Sequence, residues 1–129
     1  MNARQYYRSI QAAISESPHI IASDMSFNQV DVNECYVRGV LTLTGGFELH
    51  VAEYVITEPD VRRSKYRYHL QRADGTLVVH WDNVPHHRNV SSFPNHRHNA
   101  NQSVHSSAPM DVFQVLTAVI PLITSPDDK

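Results

Sequence analysis

Residues 2–15 carry Tyr6, Ile10, Ala13 and Ile14 at three- and four-residue spacing, with Arg4, Arg8 and Gln11 on the other side. That period is one face of a helix, and Pro18 closes it because proline cannot continue the backbone hydrogen bonding. The period then changes. Residues 19–27 (HIIASDMSF) read as a first strand and residues 35–44 (CYVRGVLTLT), rich in β-branched side chains, as a second. Gly45-Gly46 supplies a hairpin turn into residues 47–57, where Phe47, Leu49 and Val51 alternate with Glu48 and His50. Residues 61–73 and 76–83 form the next strand pair, joined through Asp74-Gly75. Residues 84–108 read as one long loop of Pro, His, Asn and Ser. A last helix is expected from near Pro109, with Ser107 as N-cap and Met110, Phe113, Val115, Leu116, Val119 and Ile120 as its apolar positions. Pro121 should end or kink that helix.

This order predicts one α+β domain over residues 1–129. Its core is an antiparallel meander of four to five strands, with the N-terminal and C-terminal helices packed on one face. A connection as long as 84–108 is unusual in a compact domain and more often functional than neutral. The Asp74-Gly75 turn adds a register. If it is a two-residue type I′ loop, Ala73 faces Thr76, and counting outward pairs His69 with His80, Arg67 with Asp82, Tyr68 with Trp81 and Leu70 with Val79. One face then holds Tyr66, Tyr68, Leu70, Leu77, Val79 and Trp81, which is core material. The other holds Lys65, Arg67, His69, Gln71, His80 and Asp82, which is not.

Composition narrows the setting. The chain has 129 residues, 41% of them hydrophobic, enough for a single core. Cys35 is the lone cysteine, so no internal disulfide forms and a reducing cytoplasm is the expected home. The N-terminal residues lack the apolar run of a secretion signal, and no segment is apolar enough to span a bilayer, so no membrane role is expected. The net charge of −2 argues mildly against a general nucleic-acid binder. The charge is uneven, however: residues 61–73 hold Arg62, Arg63, Lys65, Arg67 and Arg72 with no acid among them. Such a patch can steer an anion, or it can simply be a solvated strand edge.

The stretch HWDNVPHHRNVSSFPNHRH, residues 80–98, holds five of the nine histidines. Imidazole gives and takes protons near neutral pH, and arginine holds phosphate through paired hydrogen bonds. Cleaving an RNA phosphodiester needs a base for the 2′-hydroxyl, an acid for the leaving oxygen and a cation for the phosphorane charge. No metal is required for that list. A metal reading stands beside it: His86-His87 and His96-x-His98 are capable ligands, and Asp82 adds an oxygen. Against it, there is no H-x-x-x-H on a helix and no CxxC. The bland alternative is that exposed loop histidines are common and mostly inert.

The run KYRYHLQRADGTLVVHWDNVPHHRNVSSFPNHRHN, residues 65–99, resembles the signature of the TumE family of toxin–antitoxin proteins. The likeness lies in the Y-R-Y-H strand, the A-D-G turn, the H-W-D-N-V-P-H-H strand end and the F-P-N-H-R-H loop. It implies a small cytoplasmic toxin of a type II system, bound and neutralised by a cognate antitoxin, arresting growth by RNA cleavage. Residues and resemblance together nominate Arg67, His69, His80, Asp82, His86 and His96 as catalytic, with Asp82 orienting His80 or pairing with Arg67. Lys65, Tyr66, Asn83, His87, Arg97 and His98 are nominated to contact the substrate. No metal or cofactor is expected, and a homodimer is compatible. The competing readings are a non-catalytic module whose basic hairpin docks protein or nucleic acid, and a metal-dependent nuclease using the histidine loop.

Overall fold

The computed structural model of the chain describes residues 1–85 and 90–124. Helix α1 (Ala3–Glu16) starts where expected, with Asn2 and Gln5 exchanging side-chain-to-backbone hydrogen bonds across its first turn. Seven strands follow: β1 (Ile20–Asp31), β2 (Glu34–Leu43), β3 (Glu48–Ile56), β4 (Arg62–Gln71), β5 (Leu77–Asp82), β6 (His96–Asn99) and β7 (Val104–Ser106). They form one antiparallel meander in chain order. The chain ends on α2 (Val112–Ala118) and α3 (Ile120–Thr124), broken at Val119 beside Pro121 as expected. Among the described residues, no helix is long and apolar enough to cross a membrane.

The class is α+β, but the sheet has seven strands where four to five were expected. The difference is β6 and β7, which lie inside the supposed loop. Their sequences, HRHN and VHS, carry almost no apolar alternation, because they sit at the end of the sheet away from the helices' main contacts. Backbone pairing of β6 with β5 and of β7 with β6 makes them strands, and residue periodicity is silent about that. The start of the last helix also shifts. Asp111, not Ser107, is the N-cap, because Asp111 and Gln114 satisfy each other's backbone N–H groups at 2.8 and 3.1 Å. Ser107 turns its hydroxyl to the Ala108 carbonyl instead.

The β4–β5 hairpin reproduces the expected pairs Arg67–Asp82, Tyr68–Trp81, His69–His80 and Leu70–Val79, but by a different turn. Gly75 N donates to Arg72 O, and Arg72 N donates to Thr76 O, so the loop is the three residues Ala73, Asp74 and Gly75. Gly75 occupies φ +90°, a conformation glycine adopts without strain. A bulge next to Leu70 absorbs the extra residue and restores the register. Its local cost is a change of face: Val78 packs against the core, where Leu77 was expected.

The helix side of the sheet is apolar in rows. Leu41, Leu49, Leu70 and Val79 stand opposite one another across β2 to β5, and Tyr6 and Ile10 of α1 with Val112, Val115 and Val119 complete the cluster. Leu116 and Ile120, in the same apolar segment, are half-buried, with Leu116 packed against the core. One acid lies inside this core. Glu53 is 1% exposed and accepts hydrogen bonds from the Tyr6 and Tyr68 hydroxyls, from Arg63 Nε at 3.3 Å and from Val112 N at 3.1 Å. That carboxylate ties both helices to the sheet centre. Burial beside this charge pushes the Tyr6 and Tyr68 phenols far above their ordinary range, so both remain donors.

Candidate functional site

Residues directly opposite on antiparallel strands share a face, and so do residues two apart on one strand. The register therefore builds two rows on the side of the sheet away from the helices. The first holds His50, His69, His80 and His98, on β3, β4, β5 and β6. Neighbouring rings in this row stand 6.0, 5.3 and 5.6 Å apart between centroids. The second row holds Arg38, Ala52, Arg67, Asp82 and His96. Where the rows meet over β2 to β4, a cleft of about 560 Å³ is lined by Arg38, His50, Arg67 and His69, with Tyr36 and Asp24 at its margins. A second cleft of about 590 Å³ shares Tyr36, Ala52 and Arg67 with it and continues past Tyr54 and Lys65 to Phe93 and Pro94.

Hydrogen bonds connect the histidines in a chain. His96 Nδ1 lies 2.9 Å from the Pro94 carbonyl, which can only accept, so Nδ1 donates. His96 Nε2 faces Asp82 Oδ1 at 2.9 Å, and His80 Nε2 faces Asp82 Oδ2 at 2.6 Å. With its Nε2 proton given to Asp82, a neutral His80 accepts at Nδ1 from His69 Nδ1, 3.1 Å away. His69 is thereby left with its lone pair on Nε2. Burial, then the neighbouring His80 and His50, hold His69 below the ordinary histidine value, and a hydrogen bond with Gln71 offsets part of this. For Asp82, burial alone acts to raise the carboxyl. The hydrogen bonds from His80 and from Val84 N–H, with the charge of His96, outweigh it and hold Asp82 below the ordinary carboxylate value.

Residues 10–126 match the family described as Toxin TumE. The chain belongs to this family. No curated protein and no solved structure gives a significant match. Membership of the Toxin TumE family suggests a toxin role, and a toxin implies an antitoxin partner.

Most of the residues nominated from the sequence converge on this face. Arg67, His69, His80, Asp82, His96, His98 and Lys65 all project from it. Arg67 is exposed and makes no hydrogen bond or ion pair among the described residues. His96, by contrast, is 2% exposed, with Nδ1 on the Pro94 carbonyl and Nε2 facing Asp82. Two nominated residues lie elsewhere: Tyr66 and Arg97 point to the helix side, because each is one residue out of step with the histidine rows, although Tyr66 also borders the second cleft. Tyr66 is buried, stacked 5.4 Å from Tyr68, with its hydroxyl on Asn95 Oδ1 at 2.7 Å. Arg97 stands opposite Trp81. Asn83 spends its amide on the backbone, accepting from Tyr66 N and donating to Ser64 O, and so closes the end of the hairpin. His86 and His87 lie outside the described residues. The site also includes His50 and Arg38, which were not nominated. The alternation of His50 with the core residues Leu49 and Val51 already placed it on the polar face; its neighbours there become visible only once β3 pairs with β4.

Proposed function

We propose that the chain is the toxin of a type II toxin–antitoxin pair and cleaves RNA phosphodiesters on its histidine face. The observation that carries this reading is the cleft in which His50 and His69 stand side by side with Arg38 and Arg67. His69 Nε2 takes the proton of the 2′-hydroxyl, and that oxygen attacks phosphorus. His50 protonates the departing 5′-oxygen, and the two arginines hold the phosphorane charge. The products are a 2′,3′-cyclic phosphate and a 5′-hydroxyl, and no step uses a metal. His80 and Asp82 position the base by fixing which nitrogen of His69 carries the proton. Tyr36, Tyr54 and Phe93, in and beside the second cleft, offer aromatic faces against which bases can stack. The site of action is the cytoplasm, where RNA and a free Cys35 both belong.

Expression with and without the neighbouring antitoxin gene, followed by sequencing of RNA ends, tests the reading. New ends carrying 2′,3′-cyclic phosphate are expected only when the toxin is free. Purified protein should form the same ends on a defined RNA in EDTA. Growth arrest without new RNA ends, or cleavage abolished by EDTA, would sink the proposed chemistry.

A further inference from the structure

The far end of the histidine face has a separate property. His96 and His98 are two apart on β6 and so project on one side, and Asp82 stands opposite His96 on β5. One ligand atom from each of Asp82, His96 and His98 falls within 4.8 Å of the others. Tetrahedral ligands on a zinc-sized ion are about 3.3 Å apart, a spacing close to that of the three atoms here.

We propose that Asp82, His96 and His98 bind one divalent transition-metal ion of the zinc class. Three observations carry it. First, His96 donates Nδ1–H to the Pro94 carbonyl, which fixes the ring with Nε2 toward Asp82; a metal-binding histidine is held in this way. Second, His96 Nε2 lies 2.9 Å from Asp82 Oδ1, so these two ligand atoms already face one another. Third, the Asp82 carboxylate is 7% exposed and already oriented, with Oδ2 held by His80 Nε2 at 2.6 Å and Oδ1 by Val84 N at 3.0 Å. Two imidazoles and one carboxylate suit zinc, cobalt or nickel, whereas magnesium and calcium need more oxygen ligands. Three protein ligands leave a further coordination position, which water can fill. The site does not use His50, His69, Arg38 or Arg67, and it stands whether or not the chain cleaves RNA.

The test uses the full chain without an affinity tag, stripped with EDTA and titrated with Co²⁺ alone. Visible d–d bands should grow to saturation at one equivalent and vanish on adding Zn²⁺. His98→Ala, a substitution at a half-buried position, should fold as the parent does by circular dichroism and lose the bands. His80→Ala should weaken Zn²⁺ binding by about 10–100-fold, because it removes the group that orients Asp82. His105→Ala and His19→Ala should bind as the parent does. No saturable Co²⁺ signal in the parent, or an undiminished one in His98→Ala, overturns the proposal. No RNA is present, so that result would leave the cleavage reading untouched.

Discussion

Replacing His69 with alanine separates catalysis from folding, and both magnitudes follow from its surroundings. The ring is half-buried and hydrogen-bonds with His80 Nδ1 at 3.1 Å and with Gln71. Losing each such hydrogen bond costs about 0.5–1.5 kcal/mol. For a domain of this size that lowers the melting temperature by a few degrees, roughly 2–8 °C per kcal/mol. Losing a general base costs about 10²–10⁴-fold in rate, or about 3–5 kcal/mol of barrier. The activity effect should therefore greatly exceed the stability effect. The assay is kcat/KM on a defined RNA beside a thermal melt of the same preparation. The pH profile adds an independent check. A base must be neutral to act, and burial with the neighbouring His80 and His50 lowers the His69 value. A lowered value keeps the ring neutral further into acid, so the acid-side inflection of kcat/KM should fall below the ordinary histidine value of about 6.5. Cleavage that survives in His69→Ala with only a small change in rate, or an inflection well above that value, would refute the assignment.

Other expectations rest on equally local geometry. Arg67→Ala should lower kcat/KM and flatten its salt dependence, by about 0.7 in slope for one phosphate contact. Melting should move by no more than about 0.5 kcal/mol, because the side chain is exposed and unbonded among the described residues; a large loss of stability would contradict this. Glu53→Ala should cost about 3–5 kcal/mol in urea unfolding, since it leaves two buried phenols and Val112 N–H without their carboxylate acceptor and Arg63 without its ion-pair partner. A cost under about 1 kcal/mol would show that the buried carboxylate does not tie the helices down. Gly39→Ala should cost about 1–3 kcal/mol, measured the same way, because a Cβ there meets Asp24 O at 2.3 Å and Met25 Cα at 2.7 Å. A neutral result would mean β1 yields without penalty.

The elements that bury a face could be read from the residues, and those that do not could not. The alternation in β3, β4 and β5 and the three-four spacing of Tyr6 and Ile10 all reflect contact with one core, and all appear in the structure. The hairpin register came out right through two compensating departures. The loop is one residue longer than a type I′ turn, and the bulge at Leu70 removes the excess. A two-residue loop would have kept Leu77 on the core face; the bulge gives that place to Val78. Turn residues indicate that a hairpin closes there, whereas the count of loop residues depends on strand twist and packing.

The candidate site was legible residue by residue and not as an arrangement, and β6 explains why. A search for metal ligands along one chain looks for fixed spacings on a helix or paired cysteines, and HRH offers neither. Two ligands at i and i+2 on a strand share a face, and the His96 and His98 rings stand 5.0 Å apart, but two imidazoles alone do not mark a site. A third group comes from the neighbouring strand. HWD on β5 and HRH on β6 run antiparallel, so Asp82 meets His96 and His80 meets His98 at the corners of one block. The same pairing extends the His50, His69, His80 row to a fourth ring and supplies the buried His96 that anchors Asp82. Whatever disrupts the β5–β6 pairing should thus disturb both ends of the face together. Substitutions confined to β3, such as His50→Ala, should act only on the cleft.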